Sequence, residues 1–319
     1  MTTLGVCFAR EFPAGLVTQA ARTLEEGGVD DLWVIEDCFY TSGVSLAAAA
    51  LSVTDRLAVG LGILPAVSRN AAVTAMEFAT LAELAPGRVV AGIGHGVQEW
   101  MEQMGARTPS PLTTLREVLE AVRALLRGET VSMSGREVTL REVRLAHPPS
   151  PVPPVLAGVR GPRSVAMAGS SADGLVLAEG SGPDYVRWAR ETAAPSGAFE
   201  VAVFTLVHID PDRAVARRRM TRAITRVLAE APQGLRMAPF FDDLAALVQT
   251  RGVDGVRAMP DDWWPHLGAI GTPDDAAAHI ELLRNAGADR VSLSPGARWD
   301  VWQQQVERIC SDLVPAFGG

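Results

Sequence analysis

The sequence predicts an α/β fold, a (β/α)8 TIM barrel with insertions. Three observations carry this expectation: eight short apolar runs alternate with helical patterns, no composition shift marks a linker between halves, and 319 residues suit one barrel with added segments. A doubly wound sheet is the competing arrangement. Against it, no G-x-G-x-x-G turn follows the first strand, and no acid stands where a Rossmann fold contacts ribose.

The first strand is an apolar run over 4–9. Pro13 opens a helical pattern with Leu16, Ala20 and Leu24 on one stripe, closed by Gly27-Gly28. A second strand over 31–35 ends in Glu36-Asp37-Cys38, and an alanine-rich helix covers 45–53. The third strand, 57–64, contains Gly60 and Gly62 and is stopped by Pro65. A helix over 71–84 and a Pro86-Gly87 turn lead to RVVAGIGHG, residues 88–96. Its segment 89–93 has no polar face, which suits a parallel strand buried on both sides. Gly92, Gly94 and Gly96 then let another group approach the backbone.

An amphipathic helix covers 114–126, with Leu115, Val118, Leu119 and Val122 on one face. Alternation around Ser134-Gly135 predicts a β-hairpin insertion over 129–147. Prolines between 148 and 154 deliver the chain to a fifth strand, 155–159. Gly161-Pro162 opens the next helix, a sixth strand covers 174–178, a helix 183–192, and a seventh strand 200–209. Residues 211–266 read as a mostly helical insertion. Thr272 as N-cap and Pro273 at the first helical position begin another helix. The eighth strand is 290–293 and the last helix 299–313. Residues 1–319 are therefore expected to form a single barrel domain.

Composition narrows the function. A chain that is 48% hydrophobic can bury a large core, and a net charge of −8 argues against nucleic-acid or anionic-membrane partners. All 29 basic residues are arginine, so a lysine Schiff base and a lysine–phosphate contact are both excluded. Cys7, Cys38 and Cys310 are too few and too scattered for a disulfide framework or zinc cluster. His147, His208, His266 and His279 lack metal-ligand spacing. No signal-peptide pattern and no apolar stretch of bilayer length is visible, so a cytoplasmic protein acting on a small molecule is expected.

In a barrel the C-terminal strand ends face one mouth. These are Arg10 and Glu11; Glu36, Asp37 and Cys38; 62–65; Gly94, His95 and Gly96; 158–163; and 178–182. Glu36 and Asp37 are either solvated caps or partners for a ligand's N–H or hydroxyl groups. The run Gly158-Val159-Arg160-Gly161-Pro162-Arg163 joins a strand to a helix start. It is either an anion site built from free N–H groups and two arginines, or a plain turn. His95, between glycines, is either a proton-transfer residue or a partly exposed loop histidine.

Five stretches carry a resemblance: GGVDDLWVIED (27–37), VGLGILPAVSRN (59–70), FATLAELAPGRVVAGIGHG (78–96), PPVLAGVRGPRSVAMAGSSADG (153–174) and GTPDDAAAHIELLRNAGAD (271–289). In this order they resemble the bacterial luciferase-like superfamily of flavin- and deazaflavin-dependent oxidoreductases. Within it the chain is most similar to the coenzyme F420-dependent branch, methylenetetrahydromethanopterin reductase-like. The segment 211–266 carries no match.

The resemblance implies a homodimer whose barrel mouth binds a flavin-like ring. The ring would lie on Gly62, Ile63 and Leu64, behind which a non-proline cis peptide, Gly62–Ile63, is expected. Glu36, Gly94, His95 and Gly96 would border the ring. Ala157, Gly158, Val159, Gly161, Pro162 and Arg163 would hold the phosphate region, with Ala178 in the same wall. Two positions depart from relatives. Asp37 stands where the family commonly has histidine, and Val97 where the sugar-phosphate dehydrogenase branch has glutamate, so that branch's alcohol oxidation is not expected. The expectation is an F420-dependent reductase delivering hydride to a C=N or C=C bond, with His95 or Asp37 as proton source. An FMN-dependent monooxygenase is the first alternative, and a non-catalytic flavin-binding barrel the second. Trp100, Met101 and Met104, with 237–264, would wall an apolar substrate pocket or simply fill core.

Overall fold

The computed structural model describes residues 2–230 and 233–317. In chain order its strands are β1 (Thr3–Phe8), β2 (Asp31–Val34), β3 (Ala58–Pro65), β4 (Val89–Gly94), β5 (Val131–Ser134), β6 (Thr139–Val143), β7 (Val155–Gly158), β8 (Gly174–Leu177), β9 (Glu200–Ile209), β10 (Ala269–Gly271) and β11 (Arg290–Ser294). The helices are α1 (Val17–Glu26), α2 (Gly43–Leu51), α3 (Ala71–Leu84), α4 (Gln98–Gln103), α5 (Pro111–Leu126), α6 (Pro162–Ser171), α7 (Pro183–Ala193), α8 (Arg213–Glu230), α9 (Phe241–Arg251), α10 (Val253–Arg257), α11 (Pro273–Asn285), α12 (Trp299–Arg308) and, after a π-helical turn over Ile309–Leu313, α13 (Val314–Phe317).

Strands β1, β2, β3, β4, β7, β8, β9 and β11 pair in parallel in that order, and β11 returns to β1. The sheet is closed, and the fold is the (β/α)8 TIM barrel that the alternation predicts. Two elements escape a reading by periodicity. Strand β10 has three residues paired with the end of β9, and α4 has six after the fourth barrel strand. Neither is long enough to show a period. The helix expected from Pro13 starts as a 3-10 turn, Ala14–Leu16, before α1.

Three apolar clusters fill the molecule. The largest lies between sheet and helices, as in any barrel of this kind. A second fills the barrel interior with Cys7, Trp33, Val90, Leu156, Val176, Ala202 and Phe204, and Ile63 rests on it. The third belongs mainly to α8, α9 and α10, with Met220, Ile224, Leu244 and Trp264 buried together. Antiparallel β5 and β6 form a hairpin held by Glu117 of α5, whose carboxylate accepts the backbone N–H groups of Arg136, Glu137 and Val138, each at 2.9 Å. At the N-terminal end of the barrel, Arg290 bonds Asp31 at 2.8 Å and Glu200 at 3.0 Å. No helix among the described residues is long and apolar enough to cross a membrane.

Candidate active site

Strand β3 shapes the mouth. Its register against β4 shifts between Leu61 and Leu64, and the extra residues are Gly62 and Ile63, joined by a cis peptide. Gly62 and Ile63 are half-buried, whereas Leu64 is buried. A Cβ on Gly158 would stand 2.7 Å from Ile63 Cγ2, and one on Gly94 would stand 3.0 Å from Ile63 Cδ1. These glycines therefore make room for the Ile63 side chain, and Gly94 also for the Gly158 carbonyl of β7, which its Cβ would meet at 2.8 Å. A Cβ on Gly62 would strike Phe204 at 2.5 Å, so the aromatic pair Trp33–Phe204, 5.1 Å apart, supports the bulge from below.

The carboxylates at the end of β2 are both engaged. Glu36 forms a two-pronged pair with Arg69, 2.8 Å from Nη2 to Oε2, and accepts the Gly43 N–H at 2.9 Å. That hydrogen bond with Glu36, more than burial opposes it, raises the Arg69 guanidinium's affinity for its proton. Asp37 pairs with Arg10, whose guanidinium lies 4.9 Å from the Tyr40 ring centre and 5.7 Å from that of Trp100. Burial lowers the Arg10 pKa, but its bonds to Asp37 and Glu11 outweigh that and raise it overall.

His95 follows β4, and its Nε2 lies 3.1 Å from Ser164 Oγ in the first turn of α6. Its Nδ1 is enclosed near Pro111 without reaching hydrogen-bond geometry. Burial lowers the His95 pKa despite the Pro111 backbone, so the neutral ring prevails at neutral pH. Gly96 adopts φ +69°, and Val97 then caps α4 at the exposed rim.

Gly161 is the N-cap of α6 and Pro162 its first residue. Pro162 has no N–H, and the amides of Arg163 and Ser164 lie in the first turn, where helices leave donors free. Arg160 and Arg163 are exposed, and neither forms an ion pair among the described residues. Ala157 and Val159 are buried behind this turn, and Ala178 is half-buried at the end of β8. The mouth thus offers an apolar ledge beside an electropositive helix start. This fits a planar ring carrying an anionic tail, and the anion would need neither metal nor lysine.

Glu179, one residue beyond Ala178, reaches over β9 to β11. Its Oε1 accepts the Ser294 hydroxyl at 2.9 Å at the end of β11. Burial, and to a lesser extent the Glu179 charge, push the Cys7 thiol up to about 12. Among the site residues expected from sequence, Glu36, Gly62, Ile63, Gly94, His95, Gly158 and Arg163 all stand around the mouth. Arg69 and Ser164 lie outside that set. An arginine directly before the helix-capping Asn70 was the available signal for Arg69; Glu179 lay inside the 178–182 strand end already assigned to the mouth.

The sequence model described as luciferase-like monooxygenase matches residues 5–290. The chain is 25% identical over 303 residues to the 5,10-methylenetetrahydromethanopterin reductase of Methanolobus tindarius, covering 91% of this chain and 93% of that protein. The fold is similar to that of an F420-dependent secondary alcohol dehydrogenase in complex with an F420-acetone adduct, with a TM-score of 0.78 at 20% identity over 99% of both chains. It is also similar to the oxygenating constituent of 3,6-diketocamphane monooxygenase from Pseudomonas putida in complex with FMN, with a TM-score of 0.72 at 19% identity over 98% of both chains.

Proposed function

The chain belongs to the luciferase-like monooxygenase family, and from that premise we propose that it is a coenzyme F420-dependent oxidoreductase. We read it as a reductase that passes hydride to a C=N or C=C bond of a small organic substrate. The observation that carries this reading is the half-exposed Gly62–Ile63 ledge beside the start of α6. The resemblance to the reductase relative supports the direction. When bound, the deazaflavin supplies the hydride.

The chain's own residues hold and orient. Ile63, backed by Gly94 and Gly158, supports the ring face. Arg163 and the amides of Arg163 and Ser164 hold the anionic tail. His95 positions Ser164 and with it the helix start, a role that its neutral, enclosed ring suits better than proton donation. Asp37, tied to Arg10, orients the rim.

Separate titrations with deazaflavin and FMN test the reading, followed by absorbance and tryptophan fluorescence. Binding of the deazaflavin is expected. FMN binding with no deazaflavin response would replace the reading by an FMN-dependent monooxygenase, which the FMN-bound structural relative favours as second choice. His95→Ala is expected to weaken cofactor binding without removing a limb of the pH–rate profile. Loss of such a limb would make His95 the proton source instead.

A homodimer is the assembly proposed here. Helix α3 is apolar around most of its circumference, and Val73, Met76 and Leu84 lie exposed on it. Sedimentation of the full chain at micromolar concentration checks this; a monomer there would rule it out.

A further inference from the structure

We propose that Glu179 is a specificity-determining residue that selects substrates whose acceptor bond carries a cationic nitrogen. The inference rests on the reductase reading above. Among the carboxylates at the mouth, Glu11 and Asp37 bind Arg10 and Glu36 binds Arg69. Glu179 forms no ion pair among the described residues; its one recorded side-chain partner is the neutral Ser294 hydroxyl. That bond spans β9 from β8 to β11, at the level where Ser294 pairs with Leu206, and the Glu179 charge is felt by Cys7 in the barrel interior. The uncompensated charge therefore stands toward the barrel axis, where a substrate facing the Ile63 ledge would lie. In this half-buried place a cation is attracted more strongly than in water, and an anion repelled.

The proton inventory points the same way. Asp37 is held by a guanidinium, Glu36 by another, and His95 is neutral and enclosed. Reduction of a neutral C=C or C=N bond consumes a proton that none of these groups is placed to give. Reduction of an iminium bond consumes none. Hydride forms the new C–H bond, the π electron pair moves onto nitrogen, and the positive charge disappears. Glu179 would hold the cation before transfer and release the neutral amine afterwards.

The test uses the full chain and three probes of near-equal size: benzylammonium, benzyl alcohol and benzoate. Binding is read by tryptophan fluorescence, with and without deazaflavin. Wild type is expected to hold benzylammonium at least about tenfold more tightly than benzyl alcohol, with benzoate weakest, and Glu179→Gln to bring the first two within about twofold. Ser294→Ala, which frees the carboxylate from its anchor, is the second variant and is expected to lower the ratio about threefold. No cation preference in wild type, or an unchanged ratio in both variants, would overturn the assignment. Failure of deazaflavin and FMN to bind, with the cation preference intact, would sink the reductase reading and leave Glu179 standing.

Discussion

The two ends of the barrel use the same residue types to opposite effect. At the N-terminal end, Arg290 closes on Asp31 and Glu200, and Asp31 is 1% exposed. At the C-terminal mouth, Arg10 and Arg69 close on Asp37 and Glu36, neither carboxylate is as enclosed as Asp31, and Glu179 is left over. A matched triad built on a buried carboxylate, Asp31, adds rigidity and offers a ligand nothing. A half-exposed set with one unmatched member keeps the chain folded and still has charge to present. Burial and the number of partners, not residue type, separate a strut from a site.

Removing Arg290 should break this contrast most visibly. Burial already raises the Asp31 pKa although Arg290 opposes it. Arg290→Gln should cost about 3–5 kcal/mol, because an uncompensated carboxylate stays buried. Urea unfolding would measure it, and a loss below about 1 kcal/mol would mean the triad is no more than a surface pair.

Acid should act away from both ends, at His279 of α11. This side chain bonds Thr205 Oγ1 at 2.8 Å and the Pro265 carbonyl at 2.6 Å, and burial lowers its pKa to about 4. Between the unfolded value of about 6.5 and this folded value, the unfolded chain binds a proton that the native chain refuses. Stability should therefore fall as pH drops from about 6.5 to 4, by up to about 3 kcal/mol. A pH series of thermal melts shows it, and His279→Gln should flatten the slope in that window.

Filling the space beside Ile63 should act at the mouth more than on the fold. Gly158→Ala puts a methyl 2.7 Å from Ile63 Cγ2. A cost of about 1–3 kcal/mol is expected, with the ledge displaced and deazaflavin binding at least about tenfold weaker. Unchanged binding would show that the ring does not rest there.

The smallest change should follow Arg10→Gln. Its pair with Asp37 leaves the two side chains 31% and 27% exposed, so stability should change by less than about 1 kcal/mol. The cation preference assigned to Glu179 should rise, because Asp37 and Glu11 both lose their cation. A preference that falls would mean Arg10 itself contacts the ligand.

Much of the barrel was legible because its signals are local. Segment 200–209 coincides with β9 and 71–84 with α3, since β-branched runs and capped apolar patterns report on their own elements. The capping box of α11 is visible as Thr272 followed by Asp275. Gly94 and Gly158 stand at the C-terminal ends of β4 and β7, as the strand pattern leads one to expect. What packs beside them and Gly92, the Ile63 side chain and the carbonyls of Leu61 and Gly158, comes from other strands and is not legible in their own segments.

The sequence by itself determined the alternation of strands and helices, the strand ends that meet at one mouth, and the absence of lysine from any site. Only the tertiary structure decided which carboxylates are neutralised. Asp37 meets Arg10 across 27 positions, Glu179 meets Ser294 across 115, and Asp31 meets Arg290 across 259. Periodicity and capping depend on neighbours within a few residues, so one sequence displays them. Charge compensation depends on partners that only closure of the barrel brings together, and it is compensation that leaves Glu179 free.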